Sequence, residues 1–288
     1  MFVITRKEFE AIIDRCRAFN MEPFIDEFKF EEVLSDSGVV QYKLLAYLGE
    51  DTEVDLKDTF DIIGSNAFRD TRVTYVDTGE ALFIHNMAFA DSPYLKKVVA
   101  NKVAMIGREA FKHCVRLECI ELENVTTIES CAFGHCVSLE SVIGLGKLQK
   151  IEDEAFKNCL KLKNINLENV SALDQKAFIY CTSLEEVRFS KLEYLSKRAF
   201  SHCINLRKVY GPKLLNFAPC VFDCCMNLQE LWLEDTVWFM CYLGTNYSIG
   251  VPDVIHICGN VSKKSLTIFE DTKLKDTKIV LEGDLIDE

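Results

Sequence analysis

The chain contains 288 residues, with 33 Lys and Arg against 45 Asp and Glu, so its formal net charge at pH 7 is −12. This balance argues against nucleic acid or an anionic membrane surface as a direct ligand, because binding either one requires a basic face that neutralises phosphates. The longest apolar run, residues 237–243, is far shorter than the ~20 residues that cross a bilayer, so no membrane insertion is expected.

The first predicted element is a helix that begins near Thr5. Thr5 and Glu8 have the spacing of a capping box, and Ile4 is placed to staple onto Phe9. One helical face is apolar and consists of Phe9, Ile12, Ile13, Cys16 and Phe19. We interpret this helix as a cap over the first edge of the fold, with a docking helix for a partner as the alternative. Charged residues from Arg6 onward interrupt any apolar secretory segment, so no signal peptide is predicted.

An Ala-Phe pair recurs through the middle of the chain with a period of about 22 residues, which is within the range of known repeat proteins. Seven copies place their rings at Phe68, Phe89, Phe111, Phe133, Phe156, Phe178 and Phe200, and Phe222 belongs to a degenerate eighth copy. The full unit reads I-x-x-x-A-F-x-x-C-x-x-L-x-x-I-x-L-x-x-V. Self-similarity at this period is typical of solenoids, in which each unit buries its apolar face only against stacked neighbours.

Two segments of the unit have different structural preferences. The alternating L-x-x-I-x-L segment predicts a short strand with its branched residues pointing inward. The x-x-A-F-x-x-C segment is interpreted as a tight helical turn on the opposite wall, where Ala permits close approach and Phe fills the space behind it. The fold class predicted from this pattern is an α/β repeat.

The repeats resemble the leucine-rich repeats of the BspA-like class, also called the Treponema pallidum type. The resemblance covers roughly residues 28–235, and "FKFEEVLSDSGVVQYKLLAYLGEDTEVDL" is similar to the leading hairpin and first strand of that family. Two departures are the scarcity of Pro after the repeat strand and the absence of Cys in the first two repeats, where Thr71 and Ser92 stand near its place. The resemblance implies a right-handed solenoid with a parallel sheet on its concave side.

Residues 236–288 leave the repeat pattern. The segments "VIHICGN" and "KIVLEGD" predict two more strands, each ended by a Gly turn, which would cover an edge otherwise open to pairing with another chain. The predicted division is therefore an N-terminal cap of helix and hairpin over 1–50, about eight repeats over 51–235, and a C-terminal β cap over 236–288.

Six of the 13 cysteines occupy one slot of the repeat, at Cys114, Cys136, Cys159, Cys181, Cys203 and Cys225. We interpret them as a buried column of reduced thiols that act as small hydrophobic side chains. The odd total and the parallel stacking of equivalent sites argue against disulfides, which favours a reducing compartment.

No pattern of catalytic, cofactor-binding or metal-binding residues is recognised. Three His-Cys pairs begin at His113, His135 and His202, but the equivalent slot of other repeats holds Asn158, Tyr180 and Cys224. A position that accepts such different side chains is a tolerant polar position, and neither C-x-x-C nor H-E-x-x-H is present. The sequence thus predicts a protein that is not an enzyme, with no cofactor and no metal.

The outward positions of the predicted strands are small and polar in the middle of the chain and become aromatic and charged toward its C-terminal third. Tyr, Trp and Arg are the side chains most enriched in binding hot spots. The predicted partner-binding residues are Glu186, Arg188, Tyr210, Glu230 and Trp232. The alternative is that Tyr210 and Trp232 pack beneath the C-terminal cap.

These observations predict a non-enzymatic interaction module or scaffold in the cytoplasm that binds a protein partner. The alternative, implied by the resemblance, is a cell-surface or host-facing adhesin that reaches the surface by a non-classical route.

Overall fold

The computed structural model of the protein describes residues 2–3, 5–18, 27–214, 216–218, 220–233, 254–257, 261–262, 278–281 and 285–286. The chain forms two compact units, an N-terminal unit of residues 1–147 and a C-terminal unit of residues 148–288. Ile4 and Phe19, which were assigned to the first helix and its staple, lie outside the described residues, as does most of the predicted C-terminal cap. The division at residues 50 and 235 stays a prediction.

The N-terminal unit begins with a strand and a helix and continues as short strands. In chain order its elements are β1 (Phe2–Val3), α1 (Arg6–Ala18), β2 (Phe28–Leu34), β3 (Val40–Tyr47), β4 (Glu53–Asp55), β5 (Ile62–Ile63), β6 (Tyr75–Asp77), β7 (Phe83–Ile84), β8 (Lys97–Val99), β9 (Met105–Ile106), β10 (Cys119–Glu121), β11 (Thr127–Ile128), β12 (Ser141–Ile143) and a 3-10 helix (Leu145–Lys147).

Helix α1 and the β2–β3 hairpin pack against the first coil of this unit. The predicted capping box is present, since the Thr5 amide donates to Glu8 Oε2 at 3.0 Å. Phe9 is fully buried and its ring packs edge-on against Phe60 at 5.2 Å. Arg6 donates to both carboxylate oxygens of Asp61, at 3.0 and 2.9 Å. The helix is therefore fixed by an apolar ring contact and a bidentate ion pair.

Each coil of the N-terminal unit contributes strands to two ladders. The first ladder joins β1, β4, β6, β8, β10 and β12, and all of its pairs are parallel. The second ladder joins β3, β5, β7, β9 and β11, also in parallel, and β2 is antiparallel to β3. The first ladder corresponds to the predicted repeat strand. The sequence pattern did not predict the second ladder, because most of its strands are two residues long and too short to show an alternation.

The C-terminal unit repeats this arrangement. Its strands are β13 (Lys150–Ile151), β14 (Ala172–Leu173), β15 (Glu186–Arg188), β16 (Tyr194–Leu195), β17 (Lys208–Gly211), β18 (Asn216–Phe217), β19 (Glu230–Leu233), β20 (Val254–Ile257), β21 (Val261–Ser262), β22 (Lys278–Leu281) and β23 (Leu285–Ile286). Strands β15, β17, β19, β20 and β22 form one parallel ladder. Strands β20 and β22 lie in the two predicted C-terminal strand segments and extend the ladder in parallel.

The repeat phenylalanines stack in each unit. Phe68, Phe89, Phe111 and Phe133 are fully buried in the N-terminal unit, with successive ring centroids 4.8, 4.9 and 5.1 Å apart. In the C-terminal unit Phe178 lies 5.0 Å from Phe156 and 5.3 Å from Phe200, again with nearly parallel rings. The spacing follows the separation of parallel strands, ~4.8 Å, because each ring belongs to the next coil. The predicted burial of the phenylalanines is confirmed.

The Ala-Phe segment of each repeat is a pair of turns and not the helical turn that its sequence suggested. The residues two before and two after each Phe have positive φ; around Phe111 these are Glu109 at 57° and His113 at 61°. A left-handed residue breaks the run of α-helical dihedrals. The amides bond to the next coil instead, as Phe111 N does to Ala132 O at 2.7 Å. We call the residues from two before to three after each Phe the turn segment.

The column cysteines are buried, as predicted, and no disulfide bond joins them; they also act as hydrogen-bond donors. The thiols donate to the carbonyl of the Phe one coil earlier: Cys136 Sγ lies 3.1 Å from Phe111 O, and Cys203 Sγ lies 3.1 Å from Phe178 O. Ser92, in the same slot of an earlier repeat, uses its hydroxyl in this way toward Phe68 O. This position of the repeat therefore holds a small side chain that can donate a hydrogen bond.

This geometry predicts how the slot responds to substitution. Cys136→Ala removes the donor and leaves a small void, so we expect a loss of about 1–2 kcal/mol in the free energy of unfolding. Cys136→Ser keeps a donor and should cost less. Urea unfolding of both variants measures the difference. A larger loss for Ser than for Ala would mean that the thiol serves as apolar filler alone.

Candidate interaction surface

The strand face of the C-terminal unit presents two rows of outward side chains. The in-register pairing of β15, β17, β19 and β20 places residues 186, 208 and 230 in one row and residues 188, 210, 232 and 256 in the next. We call the first the charged row, consisting of Glu186, Lys208 and Glu230, and the second the aromatic row, consisting of Arg188, Tyr210, Trp232 and His256. Side chains between them, such as Val209 and Leu231, are fully buried.

The aromatic row is a continuous series of stacked groups. The guanidinium of Arg188 lies 5.7 Å from the centroid of the Tyr210 ring, within the range of a cation–π contact. The Tyr210 and Trp232 rings are 5.9 Å apart, and the Trp232 and His256 rings are parallel with centroids 3.6 Å apart. Each ring is thereby held in one orientation by its neighbours.

The charged row is paired within itself and with the aromatic row. Lys208 Nζ lies 2.8 Å from Glu230 Oε1, and Trp232 Nε1 donates to Glu230 Oε2 at 3.2 Å. The hydrogen bond from Lys208, followed by that from Trp232, lowers the pKa of Glu230 below its ordinary value. Arg188 pairs with Glu186, which precedes it in the same strand. Glu186 and Glu230 are thus the acceptors that link the charged row to the aromatic row.

The five predicted partner-binding residues all lie in these two rows. Tyr210 and Trp232 are half-buried, while Arg188 is exposed. The alternative prediction placed Tyr210 and Trp232 beneath the C-terminal cap of residues 236–288, most of which lies outside the described residues. Among the described residues, the Tyr210 ring contacts Arg188 and Trp232, whereas the Trp232 ring also stacks on His256, a residue of the segment predicted as the C-terminal cap.

Sequence reasoning did not include Lys208 among the partner-binding residues, and it overlooked His256 as a member of this surface. Lys208 lies at an outward strand position but is neither aromatic nor Arg. His256 lies in a segment assigned to the cap, and the step from Trp232 to His256 is longer than the step from Tyr210 to Trp232. Alignment of "VIHI" as one more repeat strand would have placed His256 beside Trp232.

Comparison with known proteins bears on the repeat itself. The family model that describes the BspA type leucine rich repeat region matches residues 40–140 and 104–229, in six copies. The chain belongs to the BspA-type leucine-rich repeat family. The resemblance inferred from the Ala-Phe, Cys and Leu columns and the solenoid fold are therefore confirmed.

Two solved structures illustrate the likeness of this BspA-type protein. The Treponema pallidum leucine-rich repeat protein is 27% identical, with a TM-score of 0.55, over 69% of this chain and 87% of that one. A leucine-rich cell surface protein from Faecalibacterium prausnitzii A2-165 is 15% identical, with a TM-score of 0.45, over 90% of this chain and 94% of that one. No curated protein matches the chain. Among the described residues, no helix has the length and apolar character required to cross a membrane.

A surface hollow of about 510 Å³ lies in the N-terminal unit of this BspA-type protein and was not predicted. Its lining is mostly charged and carries both signs, including Asp55, Lys57, Asp77, Glu80 and Lys102. Asp55 and Asp77 already accept hydrogen bonds from the backbone amides of Lys57 and Gly79, at 3.0 and 2.9 Å. These two carboxylates therefore shape the turns that follow β4 and β6.

The turn segments of the C-terminal unit gather a second group of polar side chains. Within the described residues, His202, Asp223 and Cys224 have ligand atoms that all lie within 4.8 Å of one another, and all three are half-buried. The sequence predicted no metal site, because the slot of His202 and Cys224 holds different side chains in different repeats and was interpreted as a tolerant polar position. Partial burial and the neighbouring Asp223 carboxylate raise the pKa of Cys224.

Proposed function

We propose that this BspA-type protein is a non-enzymatic interaction module that binds a protein partner through the charged and aromatic rows of its C-terminal unit. The observation that carries the proposal is the continuous stack of Arg188, Tyr210, Trp232 and His256 on the outward face of a parallel sheet. Membership of a leucine-rich repeat family agrees with a role in protein interaction.

The contacts within the rows favour binding because they restrict the side chains beforehand. Immobilising a rotamer-rich side chain at an interface costs about 0.5–1.5 kcal/mol. Trp232 is already fixed by its stack on His256 and its hydrogen bond to Glu230. A partner that contacts this ring therefore meets a smaller entropic cost than it would at a freely rotating tryptophan.

The dimensions of the rows indicate what part of an interface they supply. Four rungs at a spacing of ~4.8 Å extend over about 15 Å, which is the scale of a central hot spot and smaller than a standard interface of about 800 Å² per partner. The charged row offers both a cation and carboxylates, so the partner is expected to present an apolar or aromatic anchor flanked by charges of both signs.

Replacement of Trp232 tests this proposal. Trp232→Ala removes the central ring, and we expect affinity for a protein partner to fall about thirtyfold, or ~2 kcal/mol. The partner is first isolated by photo-crosslinking from a benzophenone side chain at position 210, and its affinity is then measured by titration calorimetry.

Tyr194→Ala is the matched control, because Tyr194 is 47% exposed and lies in β16, outside both rows. We expect it to leave the affinity unchanged. Equal affinities for wild type and Trp232→Ala, with Trp232→Ala melting at a lower temperature, would show that Trp232 is a packing residue and would contradict the proposal.

We propose the cytoplasm as the compartment. No disulfide bond joins any of the eleven cysteines among the described residues, which is typical of proteins kept in a reducing environment. The alternative function, a cell-surface adhesin, predicts that protease applied to intact cells digests the protein. Protection of the chain in intact cells, together with its digestion after lysis, is the result expected for the cytoplasmic module.

A further inference from the structure

The turn segments of the C-terminal unit place a His and a Cys on adjacent coils at the same left-handed position. His202 has φ 62° and Cys224 has φ 60°, and each stands two residues after the Phe of its repeat. Equivalent residues of parallel coils are separated by ~4.8 Å, so their side chains leave the wall side by side. Asp223 precedes Cys224 and brings a carboxylate to the same place, with the ligand atoms of all three residues within 4.8 Å of one another.

We propose that His202, Asp223 and Cys224 bind a Zn²⁺ ion. Imidazole nitrogen, carboxylate oxygen and thiolate sulfur are the three ligand types that zinc accepts in proteins. Bond lengths of about 2.0–2.3 Å place tetrahedral ligands about 3.3–3.8 Å apart. Side-chain movements of about 1 Å would therefore bring the three residues to that geometry, with water in the fourth position.

The surroundings of the cluster fix its members in place. The amide of His202 donates to Asp223 O at 2.6 Å, which joins the two coils at the cluster itself. The His202 ring stacks on Tyr180 with centroids 4.4 Å apart and an interplanar angle of 4°. An imidazole held in this way loses little freedom when one of its nitrogens binds an ion.

The contact between Asp223 and Cys224 also favours a cation. The Cys224 thiol donates a weak hydrogen bond to Asp223 Oδ1, with Sγ 3.9 Å from the oxygen, so the sulfur and the carboxylate already face each other. A divalent ion that binds both atoms takes the place of the thiol proton, which is released to solvent as the metal binds. A nucleophilic Cys would need surroundings that stabilise its thiolate, and the neighbouring carboxylate does the opposite.

The N-terminal unit contains a natural comparison for this cluster. His113 and His135 occupy the same left-handed position on adjacent coils and stack at 4.7 Å. Lys112 and Gly134 precede them in the chain, so neither contributes a carboxylate where Asp223 stands. A stacked pair of turn-segment rings is thus common to both units, while the third ligand belongs to the C-terminal cluster.

Zinc titration of the reduced, metal-stripped full chain tests the proposal. In competition with a chromophoric chelator, we expect one Zn²⁺ per chain and an affinity at least tenfold lower for His202→Asn and for Cys224→Asn. Asn is a suitable replacement, because Asn158 occupies the equivalent position with φ 59°. The control, His135→Asn, should bind zinc as the wild type does.

Cobalt provides a second readout that identifies the thiolate. We expect Co²⁺ bound to the wild type to show a sulfur-to-metal charge-transfer band that is absent in Cys224→Asn and retained in Cys220→Ser. Circular dichroism of each apo variant verifies folding, and Asp223→Asn replaces any variant that fails this test. Zinc binding that is the same in all variants would indicate an adventitious ion at other thiols and would overturn the proposal, as would a cobalt spectrum without the thiolate band.

Discussion

Raising the pH from about 8 to about 10 is expected to destabilise the C-terminal unit by about 6 kcal/mol, because its buried thiols cannot ionise while the protein is folded. Burial raises the pKa of Cys181 and of Cys225 to about 12, and it raises that of Cys203 well above its ordinary value. All three side chains are fully buried. An unfolded Cys ionises near pH 8.5.

The direction of this effect follows from the order of the two pKa values. Since the folded pKa is the higher one, the stabilising contribution is fully present below about pH 8.5 and is lost as the pH rises toward about 12. Each thiol contributes about 2 kcal/mol to the loss between pH 8 and pH 10. The expected loss in the free energy of unfolding, summed over the three thiols, is comparable with the entire stability of a typical domain, about 5–15 kcal/mol.

Urea unfolding at several pH values measures this dependence under reducing conditions. Trp232 belongs to the C-terminal unit, so tryptophan fluorescence reports on the unfolding of this unit. Cys181→Ser removes one of the thiols and should reduce the loss by about 2 kcal/mol. A free energy of unfolding that stays constant between pH 8 and 10 would contradict the burial of these thiols in solution.

The second large effect is expected from Phe178→Ala, which should lower the free energy of unfolding of the C-terminal unit by about 3–5 kcal/mol. Phe178 is fully buried between Phe156 and Phe200, at centroid distances of 5.0 and 5.3 Å. Truncation removes the apolar area of the ring and leaves a cavity that the stacked neighbours cannot fill without moving their coils.

The same tryptophan-monitored urea unfolding measures this change. Phe178→Leu should cost clearly less than Ala because it leaves a smaller cavity. Tyr194→Ala, at an exposed position of the same unit, should change the free energy of unfolding by no more than about 0.5 kcal/mol. A loss below about 1 kcal/mol for Phe178→Ala would mean that the ring stack contributes little to stability.

Much of the fold could be predicted because the repeat fixes side chains at constant intervals. The regular period predicted that Phe178 and its equivalents form buried columns. The alternation of apolar and polar residues around Val187 and Val209 predicted the repeat strands β15 and β17. In these segments the burial of a branched or aromatic residue decides the backbone conformation. The spacing of the hydrophobic residues is therefore sufficient to predict that conformation.

The turn segments were mispredicted because their conformation depends on hydrogen bonds to the next coil. Nothing in the residue types Glu109 or Lys176 suggests a positive φ, since neither is Gly or Asn. The backbone accepts these angles where an amide such as Lys176 N reaches a carbonyl of the following coil, here Lys197 O at 3.0 Å. Such bonds join residues one repeat apart and leave no local pattern in the sequence.

Part of the candidate surface could also be predicted from the regular repeat. Arg188, Tyr210 and Trp232 could be assigned to one face because each stands at the outward position of a repeat strand. The stack of His256 on Trp232 depends on a strand beyond the regular repeat. The repeat places His202 and Cys224 in one slot of consecutive coils, but the approach of their ligand atoms to each other and to Asp223 depends on the left-handed turns and needed the structure.

The turn-segment bonds also have a consequence for folding speed. The bond from Phe178 N to Ala199 O joins one coil to the next, and the thiol bond from Cys203 to the Phe178 carbonyl spans 25 residues. Against a length of 288 residues, these separations correspond to a relative contact order of about 0.07–0.09, the range of helical bundles. The described strands of the chain are almost all parallel, an arrangement that usually forms slowly. Here, however, each coil that is added to the last closes only a short loop.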